Sequence, residues 1–127
     1  MKPLRDEAAF LRGARLHEDG DYWEAHEAWE GLWREGRGEE TRRLLQGLIQ
    51  VTAALHKLVV QGDGDAALRL LDRGLEKLDR LPDAQDGVDV RAFREGTRTC
   101  RAALARDRTT FDRRSIPKVT LHAPARG

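Results

Sequence analysis

His26 and Glu30 stand four residues apart, a spacing that places both side chains on one face of a helix. Neutral imidazole and carboxylate can chelate one metal ion, and Glu27 between them could act as a general base. The spacing is that of a helical zinc motif, with Glu30 in the place of the usual second histidine. With His56 as a third ligand, these residues would form the centre of a metal-dependent hydrolase.

Tryptophans lie around His26 and Glu30 in the sequence, and they favour two interpretations other than a metal site. All three tryptophans of the protein lie in the same predicted helix, and Trp23 and Trp33 bracket His26. Gln46 and Gln50, four residues apart on the next predicted helix, could donate and accept hydrogen bonds across the helix–helix contact. The result is either a structural polar network or a ligand pocket with aromatic walls. The candidate binding residues are Trp23, His26, Glu27, Glu30, Trp33, Gln46 and Gln50.

Catalysis has incomplete support in these residues. The zinc motif lacks its second histidine, tryptophans crowd the pair, and the intervening glutamate projects away from Glu30 on a helical wheel. We therefore expect no metal and no other cofactor, and the hydrolase based on His26, Glu30 and His56 is the alternative. Covalent catalysis is no better supported, because Cys100 is predicted among apolar residues and the lone serine, Ser115, lies in the C-terminal tail.

Arginines form a second feature towards the C-terminus. In the predicted fifth helix they fall on the side opposite Phe93, Cys100 and Leu104. Residues 1–90 hold 13 basic and 19 acidic side chains, a balance of −6, whereas residues 91–127 hold 10 and 3, a balance of +7. The basic end could bind anions or nucleic acid, or pair with the acidic body of another copy in a homo-oligomer. Nucleic acid is disfavoured, because no aromatic residue is interleaved with the arginines. The candidate anion-binding residues are Arg91, Arg94, Arg98 and Arg101.

Five helices must position these side chains, because the apolar residues repeat at the helical period and never alternate over the length of a strand. The helices are predicted over about residues 5–18, 22–35, 39–61, 65–81 and 90–107. The third should be the most buried, since it is apolar on nearly every side, and Gly47 should let a neighbouring helix approach closely. In the first helix, related faces hold Leu4, Ala8, Leu11 and either Ala14 or Arg15. Asp21 and Asp89 are predicted N-caps, and Glu24 would complete a capping box with Asp21.

One short pattern occurs twice. Gly20-Asp21 between the first two helices is matched 42 residues later by Gly62-Asp63 between the third and fourth. Successive helical hairpins of this kind resemble tetratricopeptide hairpins, although the 34-residue period of that repeat is absent. The pattern predicts an all-α bundle of antiparallel hairpins, only weakly tetratricopeptide-like.

Length and composition indicate one small domain. The chain has 127 residues, and its 23 basic and 22 acidic side chains nearly cancel, which disfavours disorder over most of its length. A single cysteine cannot form an internal disulfide. No apolar run suggests a signal peptide or a membrane span, so we expect a cytoplasmic protein without a membrane partner. We assign residues 1–108 to the domain and residues 109–127 to a basic tail that is extended or disordered.

Two motifs in the second and third predicted helices are distinctive. The first contains Glu-Ala-His-Glu, a further glutamate and Leu-Trp, and the second is Leu-Gln-Gly-Leu-Ile-Gln over residues 45–50. Together they resemble a family of small bacterial and archaeal proteins catalogued as domain of unknown function 309, over about residues 8–75. The matching positions are Glu24, Ala25, His26, Glu27, Glu30, Trp33, Gln46, Gly47 and Gln50. The resemblance implies an all-helical fold and brings no known activity, cofactor or catalytic residue.

The function favoured at this point is a helical binding or interaction module, whose partner is a small molecule or another protein. Its site would be the His/Glu/Gln/Trp cluster between the second and third helices.

Overall fold

The computed structural model describes residues 2–109 and 111–123 of the chain. Five α-helices and a minimal β-hairpin are the main regular elements of these two ranges. The helices are α1 (Ala8–Glu18), α2 (Tyr22–Trp33), α3 (Glu39–Val59), α4 (Gly64–Leu78) and α5 (Val90–Arg106). The strands β1 (Ala84–Gln85) and β2 (Val88–Asp89) precede α5, and single 3-10 turns lie at Leu4–Asp6 and Arg113–Ser115. The predicted all-α bundle of five helices is confirmed.

A short hairpin before α5 was not predicted by the periodicity. Strands β1 and β2 pair antiparallel, with Ala84 opposite Asp89 and Gln85 opposite Val88. Both residues of the connecting turn, Asp86 and Gly87, have positive φ angles, 56° and 75°. Such a turn matches the twist of a two-stranded ribbon, and Asp-Gly is one of its preferred sequences. The turn dipeptide was therefore a signal for the hairpin, although its strands are too short to show alternation.

Helix α3 lies at the centre of the bundle and packs against both α2 and α4. Its buried residues occupy several faces and include Leu45, Leu48, Val51 and Leu55. A helix that is apolar on most sides loses the most surface to its neighbours, so the predicted central position is confirmed.

A pair of glycines brings α3 and α4 into close contact. A Cβ atom at Gly47 would lie 2.8 Å from Cδ2 of Leu78, and one at Gly74 would lie 3.3 Å from the carbonyl oxygen of Gly47. Gly47 therefore permits a close helix approach, as predicted, and the helix that approaches it is α4.

The α1–α2 hairpin closes around Trp29, which is fully buried. Its indole N–H donates to the carbonyl oxygen of Phe10 at 3.2 Å, and Gly13 provides the space for the ring. The buried stripe of α1 is Phe10, Gly13 and His17, whereas Ala8 is exposed. The prediction was wrong at Ala8, because the large Phe10 side chain sets the buried side, whereas Leu4 is buried and Ala14 packs against the core.

The turns that repeat along the chain differ in their caps. Gly20 and Gly62 both have positive φ angles, 87° and 64°, and each follows shortly after the end of a helix. The carboxylate of Asp63 then accepts a hydrogen bond from the backbone N–H of Ala66. Asp21 accepts no such bond, so the predicted capping box does not form. The predicted cap at Asp89 is confirmed, since its carboxylate accepts from the N–H of Ala92.

The C-terminal segment, residues 111–123, follows an extended path across the bundle apart from its 3-10 turn. The backbone N–H of Asp89 donates to the carbonyl of Thr120 at 2.8 Å, and that of His122 donates to Gly87 at 2.8 Å. Pro117 is buried. Residues 110 and 124–127 of the predicted tail lie outside the described residues. Within the described ranges, no helix is long and apolar enough to cross a membrane.

Candidate functional site

The antiparallel packing of α2 and α3 brings most of the predicted site residues onto one surface. At one end, the indole of Trp23 lies 5.5 Å from the imidazole of His56, measured between ring centroids. At the other end, the guanidinium carbon of Arg42 lies 5.0 Å from the ring centroid of Trp33. These two contacts show how α2 and α3 are aligned along their lengths. We call this surface the α2–α3 face and define it as Trp23, His26, Glu30, Trp33, Arg42, Gln46, Gln50 and His56.

The imidazole of His26 is packed against an indole and poorly hydrogen-bonded. The rings of Trp23 and His26 are stacked at 5.2 Å with an interplanar angle of 14°. Nδ1 of His26 lies 3.5 Å from Oε2 of Glu30, within ion-pair distance, yet it forms no hydrogen bond in the described structure. The carboxylate of Glu30 accepts a bond from Arg34 at 2.8 Å instead. The predicted pair is therefore adjacent, but the stronger interaction of Glu30 points towards solvent.

Three buried polar atoms on the α2–α3 face have no hydrogen-bond partner among the described residues. They are Nδ1 of His26, the indole Nε1 of Trp33 and the amide Oε1 of Gln50. Two further buried atoms without a partner are the guanidinium Nε atoms of Arg5 and Arg37. Native proteins satisfy nearly all such groups, and each one left unpaired costs about 1–3 kcal/mol. This concentration is the most unusual feature of the predicted site.

The remaining predicted residues are more exposed. Trp23 is 49% exposed and lies in a shallow depression with His56 and Val60. Gln46 is half-buried beside Arg42 in a second depression. Glu27 is exposed, in keeping with its predicted projection away from the pair. The two glutamines form no hydrogen bonds to His26 or Glu30 in the described structure, so the predicted polar network has no support from direct contacts.

The hydrolase alternative is not supported by the geometry. Among the residues that the structure describes, no group of three or more His, Cys, Asp or Glu side chains is arranged to hold a metal ion. His26 and His56 both lie against the indole of Trp23, which takes up space next to each imidazole.

Acidic residues and carbonyl groups of the same chain hold the four predicted anion-binding arginines of α5. Arg94 donates to the carbonyl oxygen of Leu78 at the end of α4, to that of Leu81 in the loop that follows, and to the carboxylate of Asp83. The other pairs are Arg91 with Glu95, Arg98 with Asp79 and Arg101 with Asp72. These carboxylates neutralise the positive stripe inside one chain, which leaves little charge for an anionic ligand.

His17 is a buried polar residue that was not predicted from the sequence. It is 2% exposed, and its ring packs edge-on against Tyr22 and Phe93. Burial lowers the pKa of this imidazole, with a smaller opposing effect from its hydrogen bond to the Pro117 carbonyl. The helical spacing from Phe10 through Gly13 to His17 was the signal that would have placed it in the core.

Comparison with known proteins identifies the family. The model of the family described as "Domain of unknown function (DUF309)" matches residues 10–70, which contain the whole α2–α3 face. A crystal structure of a conserved hypothetical protein from Thermus thermophilus is 34% identical, with a TM-score of 0.63. That similarity covers 73% of this chain and 95% of the Thermus chain. The chain belongs to the DUF309 family. The family resemblance predicted from the two motifs is confirmed.

A segment similar to this chain also occurs within a larger protein. An uncharacterized protein of Aquifex aeolicus (strain VF5) is 29% identical over 93 residues, 70% of this chain. The similarity covers only 28% of the length of the Aquifex protein. The family is of unknown function, so the site itself must carry the functional argument.

Proposed function

We propose that this DUF309 protein is a binding module whose α2–α3 face recognises an extended peptide segment of a partner protein. The observation that carries the proposal is the set of three buried polar atoms on that face, in His26, Trp33 and Gln50, that have no hydrogen-bond partner among the described residues. A ligand that hydrogen-bonds these atoms removes a cost that the free protein bears.

The chemistry of these atoms favours a peptide backbone. The indole N–H of Trp33 can only donate a hydrogen bond, and the amide oxygen of Gln50 can only accept one. Nδ1 of His26 does either, according to its tautomer. A peptide presents carbonyl acceptors and N–H donors in alternation, whereas a carboxylate or phosphate presents acceptors alone. A peptide therefore matches the mixed set better than an anion does.

Exposed side chains cover two of the three groups. The guanidinium of Arg42 lies over Trp33, and the half-exposed indole of Trp23 lies over His26. Both covering residues are at the surface and rotate without disturbing the core. Tryptophan and arginine are also the residue types that contribute most to protein–protein binding energy. In the complex, these two side chains move aside and pack on the peptide.

Gln50→Leu separates this function from a purely structural role. The change removes the unpartnered amide oxygen while preserving the approximate volume, so the free energy of unfolding should stay the same or rise. Peptides selected on the wild-type protein from a random display library should bind this variant at least about tenfold more weakly. Trp23→Ala should have a similar effect on binding. Arg73→Leu, at an exposed residue of α4 away from the α2–α3 face, is the control.

Two outcomes would contradict the proposal. A loss of more than about 1 kcal/mol of stability in Gln50→Leu would show that the amide supports the fold. Equal binding of the selected peptides to wild type, Gln50→Leu and Trp23→Ala would place peptide recognition on another surface.

A further inference from the structure

A separate pocket lies between α1, the end of α3 and the C-terminal segment. Its volume is about 660 Å³, within the roughly 300–1,000 Å³ typical of small-molecule sites. The buried side chains of His17, Tyr22 and Pro117 contribute to its lining. The apolar walls are Leu11, Ala14, Val59, Phe111, Ile116 and Leu121. Its C-terminal wall lies outside residues 10–70, so this pocket is distinct from the family motifs.

The walls of this pocket hold an unusual share of exposed apolar surface. Five large hydrophobic side chains are exposed among the described residues, and three of them, Val59, Phe111 and Leu121, line this pocket. The other two, Trp23 and Val60, lie in the adjoining depression. Exposed apolar surface that is gathered around a concavity marks a binding site rather than ordinary surface variation.

Cations without partners surround the apolar walls. Arg15, Arg113 and Lys118 line the pocket, and none of them forms an ion pair within the described ranges. The four arginines Arg91, Arg94, Arg98 and Arg101 of α5, by contrast, are paired with acids. Glu18 and Asp19 also line the pocket, so its lining carries one positive charge in excess.

The hydroxyl of Tyr22 adds a polar group at this site. It forms no hydrogen bond to any described residue, although the ring itself is 4% exposed. Burial raises the pKa of this phenol, and the charge of Arg113 acts in the opposite direction. A neutral hydroxyl near a guanidinium can donate a hydrogen bond to an anionic group that the guanidinium attracts.

We infer that this pocket binds a small amphipathic carboxylate, with an alkyl or aryl body against Val59, Phe111 and Leu121 and its carboxylate near Arg113 and Lys118. Burial of the apolar body supplies most of the affinity, and the unpaired cations select a ligand whose head group is negatively charged. A cationic amphiphile should bind more weakly, because its head group would lie among three cations that form no ion pair within the described ranges. The inference is independent of the peptide site on the α2–α3 face.

Three ten-carbon probes that differ in head group test the inference: decanoate, decanol and decyltrimethylammonium. Calorimetric titration below the critical micelle concentration should give one saturable site for decanoate, weaker binding of decanol and the weakest binding of the cation. In NMR spectra, decanoate should change the backbone amide chemical shifts of Ala14 and Leu121 and leave those of α4 unchanged. Replacing Arg113 and Lys118 by glutamine should weaken decanoate by about fivefold per cation and leave decanol unchanged.

A pair of neighbouring valines provides a matched control. Val59 lines the pocket, whereas Val60 lies in the adjoining depression, and both are exposed. Val59→Glu should therefore weaken decanoate binding strongly, and Val60→Glu should change it little. Melting temperatures of both variants report whether the fold is intact. Equal affinity for decanoate and decanol, preference for the cation, or no saturable binding of any probe would overturn the inference.

Discussion

Nδ1 of His17 lies 2.7 Å from the hydroxyl oxygen of Thr52, and this contact joins α1 to α3 inside the core. The other ring nitrogen, Nε2, lies 2.8 Å from the carbonyl oxygen of Pro117. A carbonyl only accepts, so Nε2 carries the hydrogen, and Nδ1 of the neutral ring accepts from Thr52. One imidazole thus connects two helices and the C-terminal segment.

His17→Ala should destabilise the fold by about 2–4 kcal/mol, because it creates a cavity and leaves Thr52 and the Pro117 carbonyl without their partner. The free energy of unfolding from urea titration measures the effect. His122→Ala is the matched control, because the side chain of His122 is exposed. Equal stability of both variants would show that the buried contacts of His17 contribute nothing.

The lowered pKa of His17 predicts a loss of stability in mild acid. Burial favours the neutral ring in the folded state, whereas the unfolded chain titrates near the ordinary value of 6.5. Below that value the unfolded chain binds more protons at this histidine than the folded protein does. Lowering the pH therefore favours the unfolded state over the folded state. The free energy of unfolding should therefore decrease between about pH 7 and pH 5, above the range in which most carboxylates titrate.

His17→Phe supplies the comparison for this pH dependence, because it keeps a ring in the core but removes the titration. The decrease in stability over the same range should be smaller in the variant than in the wild type. Parallel curves for the two proteins would contradict the prediction.

Glycine-to-alanine changes should have opposite effects at two helical positions. At Gly13, a new methyl group would lie within 2.7 Å of Cδ1 of Trp29, a buried ring with no room to move. Gly13→Ala should destabilise the protein by about 1–3 kcal/mol. At Gly31 nothing lies within 4 Å of the new methyl group, so Gly31→Ala should stabilise α2 by about 0.5–1 kcal/mol. Thermal melting of both variants distinguishes packing at Gly13 from helix propensity.

The arginines of α5 should differ in how much they contribute to the stability of the fold. Arg94 is mostly buried and donates to the carbonyl oxygens of Leu78, at the end of α4, and of Leu81, in the loop that follows. Arg94→Ala should therefore cost about 1.5–3 kcal/mol. Arg91 pairs only with Glu95 on the same exposed face, so Arg91→Ala should change stability by less than about 0.5 kcal/mol. Urea titration at low and high salt provides the measurement, and similar losses in both variants would refute the distinction.

Local sequence was sufficient to predict the helices of this protein. Gly36 signals the C-terminal end of α2, and the acidic pair Glu39 and Glu40 signals the start of α3. Helix periodicity is also local, because it depends on residues only three or four positions apart. The two family motifs are equally local. The positions of α2 and α3, and the adjacency of His26 and Glu30, followed from these short-range patterns.

The partners of the polar side chains depended on tertiary packing. His17 meets Pro117, which lies 100 residues later in the chain, and Arg101 pairs with Asp72 of α4. Such contacts depend on the rotation and register of whole helices, which no short-range pattern specifies. Helical periodicity identified Gln50 as a polar residue on a buried helix, but only the packed structure showed that its amide oxygen is buried without a partner. The sequence by itself determined which elements form, whereas the packing of those elements decided which polar groups are satisfied and which remain available to a ligand.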